Sequence, residues 1–265
     1  MLGMELSTLI YHEADGISTI TFNRPEKRNA VSHQLIADLM SAMEQAERSS
    51  SLVLIFTGAG KAFCSGMDLD DLKGLIGRSD EQNVKDSETM ARLFRSIYEF
   101  PKPTIAAVNG AAIAGGTAIA TICDFTLASS EAKFGYTEVG IGFLPAIVSS
   151  FLIAQIGEKR ARDLLLTGRI FGAEEASTLG LVNEVLAPEN LIHRAHELAK
   201  TLMKNSPASL RATKALLAGY TQLQLDAQVR DAIEQNAKIR QTHDFKEGIS
   251  AFLEKRSPVW GKDKD

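Results

Sequence analysis

The sequence contains few of the residues that mark specialised protein classes. Only two of its 265 residues are cysteines, Cys64 and Cys123, which argues against a disulfide scaffold and favours a reducing compartment. Basic residues are not in excess, because 29 Lys and Arg against 33 Asp and Glu give a formal net charge of −4. Such a balance offers no overall attraction to nucleic acid or to an anionic membrane, so we expect neither as a partner.

Clear targeting and membrane-spanning signals are also missing. Residues 1–5 have no basic region followed by an apolar stretch, so we expect no secretory signal and a cytoplasmic location. Two uncharged runs, residues 103–123 and 139–157, are long enough to cross a bilayer. The first contains an asparagine and three glycines, and the second contains a proline, two serines and a glutamine. We therefore predict that both runs are buried in the core of the protein.

The remaining composition is that of an ordinary globular protein. Apolar residues make up 45% and charged residues 23% of a 28.7 kDa chain, which is enough apolar material for a sizeable core. The length predicts one large domain with an appendage.

The chain alternates between predicted strands and predicted helices. Residues 8–13 and 17–22 favour a hairpin with its turn at residues 14–16. A helix is predicted after Ser32, because serine is a preferred N-cap residue. Three short apolar runs predict strands buried on both faces, at residues 52–57, 104–108 and 125–128. This alternation predicts an α/β fold with a parallel sheet.

Two further regions differ from this pattern. Residues 73–89 form the most polar internal stretch, and we expect a mobile lid there. From Pro188 onward the apolar spacing becomes helical, with Leu191, Ala195 and Leu198 on one face.

Common catalytic motifs are absent. Residues 58–62 lack the spacing and the Ser or Thr of a phosphate loop, and no nucleophile elbow surrounds Ser65. The five histidines show no metal-ligand spacing with the cysteines, so we expect no metal.

Two glycine-containing segments follow buried strands. Residues 60–69 follow the strand at 52–57, and residues 109–118 follow the strand at 104–108. Each segment leads through glycines into a predicted helix, whose first N–H groups are unpaired and lie at the positive end of the helix dipole. Two such starts that converge would bind an oxyanion. The alternative is that the glycines only form tight turns or allow close packing.

Read together, several segments resemble the enoyl-CoA hydratase/isomerase (crotonase) family. The matching segments are Asn29-Ala30, residues 58–69, residues 101–110, Cys123-Asp124, Phe134-Gly135, Glu138, residues 164–168, residues 173–176, residues 180–183 and residues 252–256. They cover nearly the whole chain in order.

The resemblance implies a fold, an assembly and a substrate class. It implies a spiral of ββα units over residues 1–200 and a C-terminal helical region, residues 201–265, that packs trimers or hexamers. The substrate would be an acyl-CoA thioester, so coenzyme A enters with the substrate and no cofactor is permanently bound. The oxyanion hole of the family corresponds to the N–H groups of Met67 and Gly115.

The resemblance also implies where the coenzyme A arm binds. The corresponding residues are Arg28, Asn29, Ala30, Ser65, Gly66, Asp68, Leu69 and Gly116. Arg24 and Lys27 add local positive charge that suits a polyanionic ligand, although a solvated charged loop is an equally good interpretation of each cation alone.

The carboxylates depart from the family pattern. Hydratases with two acid–base groups have a glutamate at the position of Ala118, and dienoyl-CoA isomerases have aspartates at the positions of Ala118 and Ala146. Only Glu138 remains as an acid–base group in the matching positions, and partial desolvation is expected to raise its pKa. We consider Asp71 or an acid in residues 73–89 as a second group.

The expected activity is therefore enoyl-CoA hydration or isomerisation through Glu138, in fatty acid metabolism. The alternatives are branched enoyl-CoA hydration, thioester hydrolysis, decarboxylation, or a trimer that binds acyl-CoA without catalysis. Acyl chain length is not predicted. Four apolar residues either line an acyl pocket or fill the core: Phe143, Leu144, Ile147 and Phe151. Tyr136 is a candidate for orienting the substrate.

Overall fold

The computed structural model describes residues 6–261, which form ten strands and ten α-helices. The strands are β1 (Leu9–Ala14), β2 (Ile17–Phe22), β3 (Val53–Gly58), β4 (Ala62–Cys64), β5 (Thr104–Val108), β6 (Ala111–Ile113), β7 (Phe125–Ser129), β8 (Lys133–Gly135), β9 (Ile170–Gly172) and β10 (Glu184–Leu186). The helices are α1 (His33–Arg48), α2 (Leu69–Lys73), α3 (Asp80–Tyr98), α4 (Gly115–Ile122), α5 (Ala146–Ile156), α6 (Glu158–Thr167), α7 (Ala173–Leu179), α8 (Leu191–Met203), α9 (Pro207–Ile239) and α10 (His243–Leu253).

The strands form two sheets that the chain visits alternately. The larger sheet has the order β1-β2-β3-β5-β7-β10, and the smaller sheet has the order β4-β6-β8-β9. From β3 to β8, each strand of the larger sheet is followed by a short strand of the smaller one, and β4 and β6 each lead into a helix. The α/β spiral of ββα units is thereby confirmed.

Local sequence signals explain the predicted elements. The β1–β2 hairpin turns at Asp15 and Gly16, whose φ angles of 51° and 76° give the left-handed pair that Asp-Gly favours. Ser32 caps α1, because its side chain accepts a hydrogen bond from the Leu35 N–H at 3.2 Å. The predicted strands at residues 52–57 and 104–108 are β3 and β5, and the strand at residues 125–128 is β7.

The central strands of the larger sheet, β3, β5 and β7, are buried on both faces. The α8 helix covers one face with residues that include Leu191 and Ala195, and the main core lies on the other face. The uncharged run at residues 103–123 contains β5, β6 and the almost entirely buried α4, as the core interpretation required. Among the described residues, no helix is long and apolar enough to cross a membrane.

The C-terminal helices pack back onto this core. Residues of α9 such as Leu225 and Val229 join the main apolar core between α3 and α5. The α10 helix packs against α2 and against a 3₁₀ turn at Glu138–Ile141. The helical character of this region is confirmed, whereas its role in assembly and the boundary at residue 200 stay predictions.

The lid expected at residues 73–89 is only partly a loop. Its second half is the beginning of α3, with a capping box at Ser79. Asn83 and Ser87 are buried in that helix, so residues 80–89 are packed against the rest of the fold.

Candidate functional site

The two glycine-containing segments lie side by side. They contain short strands, β4 and β6, that the sequence did not predict, and these pair in parallel in the smaller sheet. Two glycines permit the close approach. A Cβ on Gly116 would lie 2.1 Å from the Cys64 carbonyl oxygen, and one on Gly66 would lie 3.3 Å from the Ala114 Cβ. The interpretation that the glycines allow close packing is therefore correct for both positions.

Gly115 begins the buried helix α4. The preceding residue, Ala114, has a φ of 51°, a conformation that costs an alanine energy and that no sequence pattern indicated. The backbone hydrogen bonds of residues 6–261 include none donated by the Gly115 N–H. This N–H group therefore lies at the positive end of α4 with its donor unused.

Met67 lies on an extended bridge between two loops. The Val31 N–H donates to the Gly66 carbonyl at 2.7 Å, and the Asp68 N–H donates to the Val31 carbonyl at 2.8 Å. In this parallel arrangement the Met67 N–H points away from Val31, and no hydrogen bond in the described part of the chain uses it. Met67 and Gly115 are thus two unused backbone donors on adjoining segments.

Glu138 lies at the start of a 3₁₀ turn near these donors. The turn and Gly142 together are called the Glu138 turn, residues 138–142. The strand before it, β8, pairs with β6, and the Ala114 N–H donates to the Gly135 carbonyl at 2.7 Å. Met67 and Ile141 both pack against one small apolar cluster that contains Leu72 and Phe245. The structure therefore brings Met67, Gly115 and the Glu138 turn together.

The Glu138 carboxyl group is buried and only partly satisfied. Glu138 is 8% exposed, and its Oε2 atom has no hydrogen-bond partner within residues 6–261. Burial raises the pKa of this carboxyl to about 7, and the hydrogen bond from its own backbone N–H opposes the shift. An acid with a pKa near neutrality, with one oxygen free, is suited to transferring protons.

Two of the acids considered as a second group, Asp71 and Asp86, form contacts elsewhere in the described chain. Ala118 is buried at 2% exposure in α4. Asp71 is instead held at the beginning of α1, where its Oδ2 accepts from the His33 N–H at 2.8 Å. Within residues 73–89, Asp86 is paired with Arg240. The hypothesis that Asp71 or Asp86 completes the site therefore finds no support in their positions.

The Tyr136 side chain is also buried in the core. It is 1% exposed, its hydroxyl lies 3.3 Å from the Thr121 hydroxyl, and burial together with the nearby Glu138 raises the pKa of its phenol. Thr121 donates its own proton to the Thr117 carbonyl at 3.0 Å, so Tyr136 donates to Thr121. Its proton is therefore used within the protein.

The residues predicted to bind coenzyme A lie on two segments that backbone hydrogen bonds join, and several of their side chains hold the fold. The Asn29 amide donates to the Ala59 and Ala62 carbonyls at 3.0 and 2.7 Å. Ala30 is buried, and its carbonyl accepts from Arg24 at 2.9 Å. The Arg28 carbonyl accepts from the N–H of Ser65 at 3.1 Å, which joins the two predicted segments.

Asp68 stabilises the beginning of α2. Its carboxylate accepts from the Asp70 N–H at 2.9 Å and pairs with Arg24 at 2.8 Å. Although burial opposes its ionisation, these two contacts hold the pKa of Asp68 below its usual value. Leu69 is exposed at the first position of α2. Arg28 is exposed and forms no ion pair within residues 6–261, so its guanidinium is open to an anionic ligand.

The apolar candidates divide between core and site. Phe151 packs edge-on against Phe94 and Tyr98 in the main core. Phe143 is half-buried and lies against Phe245, with ring centroids 5.4 Å apart. The remaining two candidates, Leu144 and Ile147, pack in or against the main core.

Within the described chain, neither the two cysteine thiols nor any cluster of metal-ligating side chains suggests a reactive centre. Burial raises the pKa of the Cys64 and Cys123 thiols to about 12, so neither is a thiolate at neutral pH. Between residues 6 and 261, no group of three or more His, Cys, Asp or Glu side chains is placed to hold a metal ion. The expectation that no metal takes part stays a prediction.

Comparison with known proteins identifies the family of the chain. Residues 12–263 match the family model described as enoyl-CoA hydratase/isomerase. A Thermus thermophilus protein named "Putative enoyl-CoA hydratase" is 43% identical, over 94% of this chain and 99% of its own length. The 2,3-dehydroadipyl-CoA hydratase of Escherichia coli is 32% identical, over 96% of this chain and 98% of its own. A crystal structure of an enoyl-CoA hydratase/isomerase from Xanthobacter autotrophicus has a TM-score of 0.88, with 28% identity over 94% of this chain and 93% of that one.

The family match extends over the segments of the candidate site. It includes both glycine-containing segments and the Glu138 turn, and the relatives are named as hydratases. The alternative of a protein without catalytic activity is therefore not supported. The chain belongs to the enoyl-CoA hydratase/isomerase family, as an enzyme that acts on acyl-CoA thioesters.

Proposed function

We propose that the enzyme binds the thioester carbonyl of an enoyl-CoA between the N–H groups of Met67 and Gly115 and transfers protons with Glu138. The observation that carries the proposal is the Glu138 carboxyl, which is buried, has one oxygen without a partner, and has a pKa of about 7. At neutral pH such a group is present both as acid and as base.

The two backbone donors would stabilise the charge that develops on the substrate. Removing a proton from C2 of an acyl thioester moves an electron pair onto the carbonyl oxygen and forms an enolate. Each donor aimed at such an oxygen typically lowers the barrier by about 3 to 4 kcal/mol. Both N–H groups are otherwise unused in the described chain, so they need no rearrangement to act.

Double-bond isomerisation is the reaction that a single carboxylate supports best. The Glu138 carboxylate takes a proton from C2 of a 3-enoyl-CoA, and the resulting dienolate places its negative charge on the thioester oxygen. The protonated carboxyl then returns this proton to C4, and the double bond lies between C2 and C3. No second acid is needed, which agrees with the buried Ala118 in place of a carboxylate.

Hydration of a 2-enoyl-CoA is the second candidate, and the names of the relatives favour it. In that reaction Glu138 removes a proton from water, whose oxygen bonds to C3, and the carboxyl then protonates C2. One group performs both steps in sequence. Relatives named short-chain-enoyl-CoA hydratase and 2,3-dehydroadipyl-CoA hydratase support this candidate.

The coenzyme A arm is proposed to bind along residues 28–30 and 65–69. Arg28 has an exposed guanidinium, and Lys27 forms only an exposed pair with Asp70 at 3.2 Å. Both cations are therefore open to the phosphates of the cofactor. Arg24 is held by Asp68 and would shape this loop without leaving it.

Assembly into trimers or hexamers is proposed to involve α9. This helix exposes four large apolar side chains close together: Leu216, Leu217, Tyr220 and Leu223. A contiguous exposed apolar surface of this kind is typical of a protein interface.

A direct assay tests the proposal. Purified enzyme is given crotonyl-CoA in water and, separately, a 3-enoyl-CoA, with Glu138→Gln beside it and the exposed Glu131→Gln as a control. Because general acid–base groups contribute about 10² to 10⁴ in rate, we expect Glu138→Gln to lose at least about a hundredfold in kcat while acyl-CoA still binds. Turnover of the 3-enoyl-CoA alone identifies isomerisation, and turnover of crotonyl-CoA identifies hydration. Full activity in Glu138→Gln would refute the proposal.

A further inference from the structure

A buried polar cluster lies beside Phe143 and Leu144, the residues that follow the Glu138 turn. We call it the Arg240 cluster. It consists of Asn83, Asp86 and Ser87 of α3, with Asn236 of α9 and Arg240 immediately after that helix. Their side chains are buried almost completely, which is costly for polar groups unless each one is well paired.

Arg240 connects the members of this cluster. Its Nη1 atom donates to Asp86 Oδ2 at 2.7 Å, and its Nη2 atom donates to Asn236 Oδ1 at 2.8 Å. Asn236 Oδ1 also accepts from the Ser87 hydroxyl at 2.9 Å. The guanidinium group is therefore fixed in both position and orientation, because its fork has partners on two helices.

The same cluster contacts the residues that follow the Glu138 turn. The Arg240 guanidinium lies over the ring of Phe143, 5.2 Å from its centroid. Asn236 donates through Nδ2 to the Leu144 carbonyl at 3.2 Å. Phe143 in turn donates its N–H to the Glu138 carbonyl at 3.0 Å. These two contacts therefore anchor the chain at Phe143 and Leu144, shortly after Glu138 in the sequence.

We propose that Arg240 is a positioning residue for Glu138, acting through the ring of Phe143 and through Asn236. This proposal rests on the role proposed above for Glu138. The Glu138 turn is a single 3₁₀ turn that ends in a left-handed Gly142, so its own hydrogen bonds define its position weakly. Anchoring by a rigid cluster reduces the number of conformations available to the carboxylate and keeps it aligned with the substrate.

Hydrogen exchange tests the positioning directly and without an assay of activity. We compare Arg240→Met with Lys102→Met, which also removes a buried cation. The Lys102 ammonium donates to the carbonyls of Ala46 and Ser49 at 2.6 and 3.0 Å, at the end of α1. We expect amides of residues 138–144 to exchange at least about tenfold faster in Arg240→Met. In Lys102→Met, exchange in that segment should match the wild type. Equal exchange in both variants would overturn the proposal.

A second variant keeps the test valid if Arg240→Met does not fold. Asn236→Asp retains the oxygen that accepts from Arg240 and Ser87, but removes the donor to the Leu144 carbonyl. We expect faster exchange at residues 138–144 in this variant as well. Unchanged exchange there would contradict the role given to the Asn236 contact.

Kinetics then separate positioning from general loss of stability. For Arg240→Met and Asn236→Asp we expect kcat to fall by about tenfold to a hundredfold, with KM within about twofold of the wild type. Arg240→Lys keeps a charge near Asp86 but not the planar fork, so it should recover stability more than kcat.

A kcat in Lys102→Met as low as in Arg240→Met would overturn the proposal. If Glu138→Gln is fully active, the proposed function fails, and the exchange measurements alone decide the role of Arg240.

Discussion

The carboxyl group of Glu138 lies in buried surroundings that make its ionised form energetically unfavourable. Its Oε2 atom is shielded from solvent, and no cation within residues 6–261 pairs with it. Water would normally stabilise the carboxylate, and its removal therefore favours the neutral acid. In the proposed mechanism, the free oxygen of this carboxyl takes a proton and then returns it to a substrate carbon. The same burial that weakens Glu138 as an acid strengthens it as a base.

The pH dependence of turnover follows from this burial. Because burial raises the pKa of Glu138 to about 7, the carboxylate that acts as the base is lost as the pH falls through that value. We expect log kcat/KM to rise with a slope of about one below pH 7 and to level off above it. Steady-state assays from pH 5 to 9 check this expectation. A plateau that extends down to pH 5 would mean that Glu138 ionises like an exposed glutamate.

Some features of the individual site residues could be predicted from the sequence, and others could not. Glu138 and the absence of a carboxylate at Ala118 were identified from the resemblance alone. The free oxygen of Glu138 was not predictable, because it depends on residues that surround the carboxyl from distant parts of the chain. Arg240 carried no signal either, since it lies about a hundred residues away and a single arginine after a helix fits no motif.

The beginning of α4 contains the Gly115 N–H, the second of the two proposed oxyanion donors. Adjacent glycines at 115 and 116 face different surroundings, although they share the first turn of the same helix. An added Cβ on Gly115 would lie 3.7 Å from Phe94 and 3.8 Å from Met90, which is ordinary contact with side chains. On Gly116 it would lie 2.1 Å from the Cys64 carbonyl, which is backbone and cannot move easily.

The two alanine substitutions should therefore separate stability from function. We expect Gly116→Ala to lose at least about 2 kcal/mol of unfolding free energy, because it forces β4 away from α4. Gly115→Ala should fold with a stability within about 1 kcal/mol of the wild type, since alanine suits a helix. Its methyl group would stand beside the proposed donor, so kcat/KM should fall. Urea unfolding and steady-state kinetics on both variants give the comparison, and equal losses of stability would contradict it.

Among the elements, the sequence predicted those with strong local signals. The β1–β2 hairpin has an Asp-Gly turn, and α1 has its Ser32 cap, so both could be located from short-range chemistry. The strands β4 and β6 have three residues each, too few for a recognisable alternation. They form only because each pairs with a partner distant in sequence. The polar stretch at residues 80–89 was misjudged for a related reason: its buried Asn83 and Ser87 are satisfied by Arg240 and Asn236.

Over the whole molecule, the spiral arrangement of the chain brings the segments of the candidate site together. The parallel pairing of β4, β6 and β8 in the smaller sheet places the ends of three successive units side by side. Those ends provide Met67, Gly115 and Glu138, which are far apart in sequence. The C-terminal helices then close the arrangement, because Gly248 of α10 packs against the Ile141 carbonyl so closely that a Cβ would lie 2.3 Å from it.

One face of the α9 helix packs into the core, and another face is exposed to solvent. Leu225 and Val229 pack into the core, whereas Leu223 is 89% exposed and Tyr220 is 74% exposed. Leaving such a surface in water costs free energy that association would recover, and closed symmetric assemblies are the usual outcome. The open face of α9 is therefore the surface on which the proposed assembly depends.

Replacing a leucine on this face should dissociate the assembly. For the wild type we expect a mass about three times the 28.7 kDa of the chain, or twice that for a hexamer, by light scattering during size-exclusion chromatography. Leu223→Asp should elute as a monomer, because an interface that buries an unpaired carboxylate is strongly disfavoured. Leu166→Asp, which alters an exposed leucine on α6, should keep the trimer and is the matched control. A monomeric wild type would refute the proposed assembly. An unchanged mass in Leu223→Asp would place the interface on another surface, because a charge in the middle of an apolar contact cannot be accommodated without loss of affinity.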